Sequence, residues 1–282
     1  MEVIKFIDVE KVLREKAPGA NKWMPGFVIR WLKRKIHEDE INEKMTRNDH
    51  KRGFEYNQAA LDEFGVKVET RHAENIPETG GVIIASNHPL GGLDGIALIK
   101  AVGEKRKDVH FLVNDILRNL KNFGDLFIGV NKVGQNSRDS LRLIETIYAS
   151  ETAVLVFPAG LVSRKQQGVI KDLDWNKSFI SKAVKYQKPV IPVFIEGRNS
   201  SFFYNFSNFR KRVGIKANIE MLFLPDEMFR QKGKVIKIHF GKPVPYTFFD
   251  SSRTHQQWAD QLKKYIYSKE FMDNISFQDY LH

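Results

Sequence analysis

His88 and Asp94 lie six positions apart in the stretch Gly81-Val82-Ile83-Ile84-Ala85-Ser86-Asn87-His88-Pro89-Leu90-Gly91-Gly92-Leu93-Asp94-Gly95. Imidazole has an ordinary pKa near neutrality, which suits it to move protons at working pH. A carboxylate that accepts a hydrogen bond from one ring nitrogen fixes the tautomer and leaves the other nitrogen as a base. Such a pair fits general-base chemistry on a hydroxyl, whose own pKa is too high for it to attack unaided. The same residues also fit a plainer description, with Asp94 as a helix N-cap and His88 as a hydrogen-bonded loop histidine. One His and one Asp fall short of a metal-binding set, and no second clustered histidine is present, so no metal is expected. Ser86 and Ser163 are the serines near these stretches, and neither sits in a G-x-S-x-G elbow. Direct transfer is therefore expected rather than a covalent intermediate on serine.

The elements that must position this pair are legible around it. Val82 to Ala85 is an apolar run that reads as a buried strand, and Leu93 to Val102 begins a helix. Between them, Pro89 removes a backbone donor while Gly91 and Gly92 allow positive φ, as a tight shaped turn requires. Further along, strands are expected at Val66–Thr70, Val109–Val113, Leu126–Val130, Ala153–Phe157, Val190–Ile195 and Val235–Phe240. Helices are expected at Asp115–Leu120, Arg138–Ala149, Asn176–Tyr186, Ser201–Lys211 and Thr254–Tyr267. This alternation predicts an α/β fold: a largely parallel central sheet covered by helices, with an N-terminal helical appendage. Ligands in such sheets bind at the carboxyl ends of strands. His88, Lys132, Gly160 and Gly197 each follow a strand run, so they are expected at one edge.

Two further stretches join the first: Val154-Leu155-Val156-Phe157-Pro158-Ala159-Gly160-Leu161-Val162-Ser163-Arg164 and Val190-Ile191-Pro192-Val193-Phe194-Ile195-Glu196-Gly197. Together and in this order, over roughly residues 65 to 245, the three resemble the glycerolipid acyltransferase (PlsC-like) family of the lysophosphatidate acyltransferase type. That family carries an N-H-x4-D motif, a later F-P-E-G-T-R-S motif and a V-I-P-V motif. The resemblance implies transfer of a fatty acyl group from an acyl-carrier-protein or acyl-coenzyme A thioester to a lipid hydroxyl. It makes His88 and Asp94 catalytic and places Asn87, Lys132, Phe157, Pro158, Gly160, Ser163 and Arg164 at the binding site for acceptor and donor. Lys132 falls near the arginine that ends the family's second motif. A backbone amide at Gly160 could face a developing oxyanion. No cofactor is expected beyond the thioester cosubstrate.

The chain also departs from the family pattern. Ala159 replaces the third motif's glutamate and Val162 its arginine, and His88 to Asp94 holds one residue more than the family spacing. In the family the glutamate and arginine help hold a glycerophosphate acceptor. The departures resemble the haemolysin-like branch, in which an F-P-A-G form occurs and which includes O-acyltransferases completing ornithine and glycine lipids. A lyso-aminolipid acceptor is expected on that ground, with 1-acylglycerol-3-phosphate as the alternative.

Charge and composition bear on partners. Lys plus Arg number 45 against 34 Asp plus Glu among 282 residues, a net +11 that favours anionic partners. Residues Trp23 to Ile36 place Met24, Phe27, Val28, Trp31, Leu32 and Ile36 on one arc, with Arg30, Lys33 and Arg34 opposite. This describes either an interfacial membrane helix or an amphipathic helix docked on the domain. Residues 1–64 are accordingly read as a membrane-facing helical region and 65–282 as the acyltransferase domain. No run of about 18 apolar residues is present, and no signal peptide is apparent, so a peripheral or monotopic protein at the cytoplasmic face of the inner membrane is expected. The absence of cysteine excludes disulfides and a thiol nucleophile. A non-catalytic lipid-binding protein is a competing reading, and so is a nucleic-acid-binding one. The second lacks any recognisable motif or aromatics interleaved with a basic stripe, so no nucleic acid is expected as a partner.

Overall fold

The structure is a computed structural model and describes residues 8–16, 25–114, 120–130, 138–215 and 218–282. Among the described residues, four helices precede the sheet: α1 (Val9–Lys16), α2 (Gly26–Ile36), α3 (Glu38–Arg47) and α4 (Gly53–Phe64). The alternating part runs β1 (Lys67–Arg71), β2 (Val82–Ser86), α5 (Gly92–Gly103), β3 (Val109–Asn114), β4 (Phe127–Val130), α6 (Arg138–Ala149) and β5 (Ala153–Val156). A two-stranded hairpin, β6 (Arg164–Gln166) and β7 (Val169–Lys171), comes next, followed by α7 (Ser178–Tyr186), β8 (Val190–Ile195) and α8 (Ser201–Arg212). The chain closes with α9 (Leu224–Phe229), β9 (Val235–Phe240), α10 (His255–Ile266), α11 (Lys269–Met272) and α12 (Phe277–Tyr280).

The seven-stranded sheet has the order β1-β9-β8-β2-β5-β3-β4. Every neighbouring pair is parallel except β8 and β9. The expected α/β architecture is therefore present, with β1 and β9 running against the other five strands. Strand β2 is buried at all five positions because both faces of the sheet are covered. Val82 and Ile84 pack with α4 and α5 residues such as Tyr56, Leu61 and Leu98. Ile83 and Ala85 pack on the other face with Phe179, Trp258 and Leu262 from α7 and α10. Helix α4 thus shares the main core, although the sequence pattern assigns it to a separate N-terminal helical region. Among the described residues, no helix is long and apolar enough to cross a membrane.

Helix α2 is docked, as one of its two readings has it. Leu32 and Ile36 are buried in a small cluster with Val9 and Leu13, so the helix docks on its neighbours. Phe27 and Trp31 stay exposed, with exposed Arg30 and Arg34 alongside them. The apolar arc is therefore split rather than uniformly buried or free, and the arginines flank the exposed aromatics instead of lying opposite them. Trp23 and Met24 lie outside the described residues, as do Lys132 and most of the helix expected at Asp115–Leu120.

Candidate active site

Because β2, β5 and β8 run in parallel, their carboxyl ends open at one edge, and the residues after them meet there. Asn87, the first residue past β2, is buried and extends the ladder with its side chain. Its Nδ2 donates to the Ile195 carbonyl at 3.0 Å, and its Oδ1 accepts from the Ile195 amide at 2.6 Å. The carboxamide expected to meet a substrate is thus taken up in joining β2 to β8.

The backbone of His88 is held on both sides. Its N–H donates to Asp172 Oδ1 at 3.1 Å, and its carbonyl accepts from the Ser163 N–H at 2.8 Å. On the side-chain side, His88 Nδ1 lies 2.9 Å from Asp94 Oδ2. The same oxygen accepts from the Leu90 N–H at 2.8 Å and the Gly91 N–H at 3.0 Å. Asp94 stands in the first turn of α5, so one carboxylate caps the helix and grips the imidazole. The N-cap position itself falls on Gly91, with Asp94 third in the helix, and the hydrogen bond expected between Asp94 and His88 is present. Gly91 makes this possible with φ of 91°, a conformation other residues rarely adopt.

Electrostatically the pair is asymmetric. The Asp94 side chain is fully buried, whereas that of His88 is 16% exposed. Burial pushes the Asp94 carboxyl above its ordinary value, and the hydrogen bonds from His88, Leu90 and Gly91 oppose that push. The helix N-terminus also favours negative charge at this place. The imidazole stacks on Phe157, with centroids 4.1 Å apart and planes inclined by 16°. Phe157 in turn meets Phe111 edge to face at 5.1 Å, so an aromatic wall fixes the ring from the β3 and β5 side.

The stretch after β5 is a support for His88 rather than a surface of open cations. The Gly160 N–H, expected to face an oxyanion, donates to the Phe157 carbonyl at 2.9 Å inside a turn with Gly160 at φ of 63°. Pro158 accepts from the Asn176 N–H at 3.0 Å. Val162 is fully buried beside Phe203 and Tyr204, so the position that is arginine in the resembled motif points into the core. Ser163 Oγ donates to Asp172 Oδ1 at 2.6 Å. Arg164 is buried as well, and its Nη2 lies 2.8 Å from the buried Glu220 carboxylate while Arg210 binds the same oxygen at 3.1 Å. The expectation that Arg164 is available to a head group fails for a physical reason. An arginine buried against a carboxylate leaves that partner only at the cost of an uncompensated charge.

Asp172 is the residue the sequence reading missed. It is fully buried, and it accepts from the His88 N–H, the Ser163 hydroxyl and Trp175 Nε1–H, the last at 2.9 Å. It reaches this place because the β6–β7 hairpin turns the chain back. The signal was Gln167-Gly168 between two short extended segments, both residues having positive φ as a two-residue hairpin turn requires. Among the described residues, no cluster of three His, Asp or Glu side chains could hold a metal ion.

The chain is similar to known proteins. A protein-family model described as Acyltransferase matches residues 11–275. A lyso-glycine lipid O-acyltransferase of Bacteroides thetaiotaomicron is 44% identical over 263 residues, covering 93% of this chain and 97% of that protein. A protein of the same name from Phocaeicola vulgatus is 43% identical over 265 residues, covering 94% and 95%. Among solved structures, the 1-acyl-sn-glycerophosphate acyltransferase PlsC of Thermotoga maritima is similar with a TM-score of 0.48 and 17% identity, covering 93% of this chain and 92% of that one. With a family match over nearly its whole length and two relatives well above 30% identity, the chain belongs to the acyltransferase family.

Proposed function

We propose that this acyltransferase moves a fatty acyl group from a carrier-protein or coenzyme A thioester to the hydroxyl of lyso-glycine lipid. The observation that carries the chemistry is the His88–Asp94 contact at the open edge of the sheet. The acceptor rests on the name that both relatives bear. With Nδ1–H donated to Asp94, His88 Nε2 takes the proton of the lyso-lipid hydroxyl as that oxygen attacks the thioester carbonyl. The new C–O bond forms, the C–S bond breaks, and the leaving thiolate takes the proton back from the imidazolium. Asp94 stabilises the imidazolium in between. Phe157 keeps the ring in plane, and Asp172 with Ser163 fixes the backbone from which it projects.

Two features favour an aminolipid over a phosphate monoester. A phosphate monoester ordinarily draws a bidentate arginine. Val162 is in the core and Arg164 is paired with Glu220, so neither offers that fork at the site edge. A head group with a single carboxylate asks for less cationic charge, and Lys132 is the cation proposed to meet it. Residues 1–64 are read as the membrane-facing region, at the cytoplasmic face of the inner membrane, and 65–282 as the part that performs the transfer.

The test is thioester consumption with lyso-glycine lipid, lyso-ornithine lipid and lysophosphatidate side by side. Lyso-glycine lipid is expected to have the highest kcat/KM, and a clear preference for lysophosphatidate would refute the acceptor assignment. His88→Ala is expected to lower turnover by about 10² to 10⁴ while the protein stays folded. A folded variant with wild-type turnover would remove the catalytic assignment.

A further inference from the structure

Helix α8 presents two apolar faces. Phe203, Tyr204 and Ser207 are buried against the fold. Phe202, Phe206, Phe209 and Val213 follow at steps of four, three and four, which puts them within about 60° of one another on a helix. Most of this second stripe lies in water: Phe209 is 60% exposed, Phe202 and Val213 are exposed too, and Phe206 is half-buried. A surface helix ordinarily shows one apolar face and a polar one. A contiguous aromatic surface on a folded chain marks a docking site.

The stripe continues beyond its own helix. Phe202 and Phe206 meet Phe223 edge to face at 5.2 and 5.4 Å, and Phe223 meets Trp31 of α2 at 6.1 Å. Trp31 and the 65% exposed Phe27 then extend the same surface along α2. Cations surround it. Arg30 and Arg34 are exposed beside the α2 aromatics, and Lys211 and Arg212 are exposed at the end of α8. Exposed Arg198 stands in the segment that enters α8. That segment also ties the surface to the active site, because Asn199 Nδ2 donates to the carbonyl of Pro89, next to His88, at 3.2 Å.

Aromatic rings rimmed by cations suit the head-group layer of an anionic bilayer, where rings sit at the interface and Lys and Arg meet lipid charge. We propose that the α8 stripe, joined through Phe223 to Trp31 and Phe27, seats the enzyme on an anionic bilayer with the His88 loop turned toward the lipid. The choice of a bilayer as occupant rests on the lipid-acylating reading above. The arrangement makes membrane docking a property of two helices far apart in sequence, not of the N-terminal region alone.

The experiment compares the full chain with Phe202→Ser/Phe209→Ser and with Lys211→Gln/Arg212→Gln. Binding is read by co-sedimentation with vesicles of phosphatidylglycerol and phosphatidylcholine, and with phosphatidylcholine alone. The aromatic variant is expected to lose at least tenfold in partitioning with its melting temperature unchanged. The charge variant is expected to lose the preference for phosphatidylglycerol, and added salt should do the same to the wild type. Wild-type partitioning by the aromatic variant would overturn the proposal. So would a wild type that ignores vesicles, or a concentration-dependent dimer in light scattering that the aromatic variant abolishes. Activity on lyso-lipid in detergent micelles should survive in both variants. Wild-type protein that binds vesicles through this surface but consumes no thioester in micelles would refute the acyl-transfer reading and leave the docking surface standing.

Discussion

Asp172→Asn changes one buried oxygen into an amide at nearly constant volume. Asp172 Oδ1 serves the His88 N–H and the Ser163 hydroxyl, and Oδ2 serves Trp175 Nε1–H. An asparagine that keeps its oxygen on His88 turns its NH₂ against the Trp175 donor. Turned the other way, it leaves the His88 N–H opposed. The first choice strands one buried donor; the second strands the His88 N–H and forces the Ser163 hydroxyl to turn round and accept, at about 1–3 kcal/mol for each stranded donor. A loss near 2 kcal/mol corresponds to a melting temperature lowered by roughly 3–4 °C in a protein of this size. Asp172→Ala would strand all three donors, at about 3–9 kcal/mol, which rivals the ~5–15 kcal/mol total stability of a typical fold. The asparagine variant is therefore the informative one.

Its catalytic effect follows from the same geometry. The His88 backbone is held between Asp172 and Ser163, and loosening it lets the imidazole drift from the reacting hydroxyl. A misplacement of about 1 Å can cost on the order of 10² in rate, so kcat should fall about tenfold or more while KM for the lyso-lipid moves less. Trp175→Phe supplies the control, because it removes the donor that the asparagine NH₂ would face. In that background the added cost of Asp172→Asn should shrink, giving a coupling of about 1–2 kcal/mol. Thermal melts and thioester consumption on the four proteins of this cycle measure it. Wild-type melting and turnover for Asp172→Asn, or strictly additive costs in the double variant, would refute the reasoning.

Two other perturbations test the packing. Gly95→Ala sets helix propensity, worth about 1 kcal/mol in favour of alanine, against space: a Cβ there would lie 2.6 Å from Phe111 Cε1. Overpacking of about 1–3 kcal/mol should win, so the melting temperature falls, and because Phe111 abuts Phe157 turnover should fall with it; a stabilised variant would show that the ring yields freely. Glu145 on α6 is held by Lys182, Lys185 and Tyr186 of α7, which lower its carboxyl from 4.5 to about 2. A lowered carboxyl stabilises the fold above its unfolded pKa and loses that contribution as pH falls toward the folded one. The gap in melting temperature between wild type and Glu145→Gln should therefore be constant above pH 4.5 and close between 4.5 and 2; an unchanged gap at pH 2.5 counts against the tie.

Long periodic segments were legible, and the short ones that build the support were not. Arg138–Ala149, Val190–Ile195 and Val235–Phe240 form where apolar periodicity puts them. The β6–β7 hairpin has three residues per strand, too few for a period to show, and α9 has six. Missing them hid Asp172, which the hairpin delivers, and Leu224 of α9, which closes over Gly91. Within the site, residue type and spacing located the His88–Asp94 pair but could not tell an open polar group from one already satisfied. Asn87, Gly160 and Arg164 carry the right chemistry for ligands, yet Ile195, Phe157 and Glu220 already occupy them. Partners of that kind are set by tertiary approach, which a local pattern does not encode.

The loop between His88 and Asp94 finds its reason in the backbone. A buried carboxylate whose sole partner is an imidazole keeps its charge mainly by keeping that imidazole charged. Here the Leu90 and Gly91 amides converge on the oxygen that His88 also uses, and they are donors whatever the state of the ring. For both amides to point at Asp94 the chain must fold back at Gly91, with φ of 91°, before α5 begins. The loop from His88 to Gly91 provides that fold. Leu224, within 3.2 Å of where a Gly91 Cβ would stand, then crowds any side chain placed there. The loop, the glycine and the covering leucine thus serve one end: holding a negative charge beside His88 without spending the imidazole proton to do so.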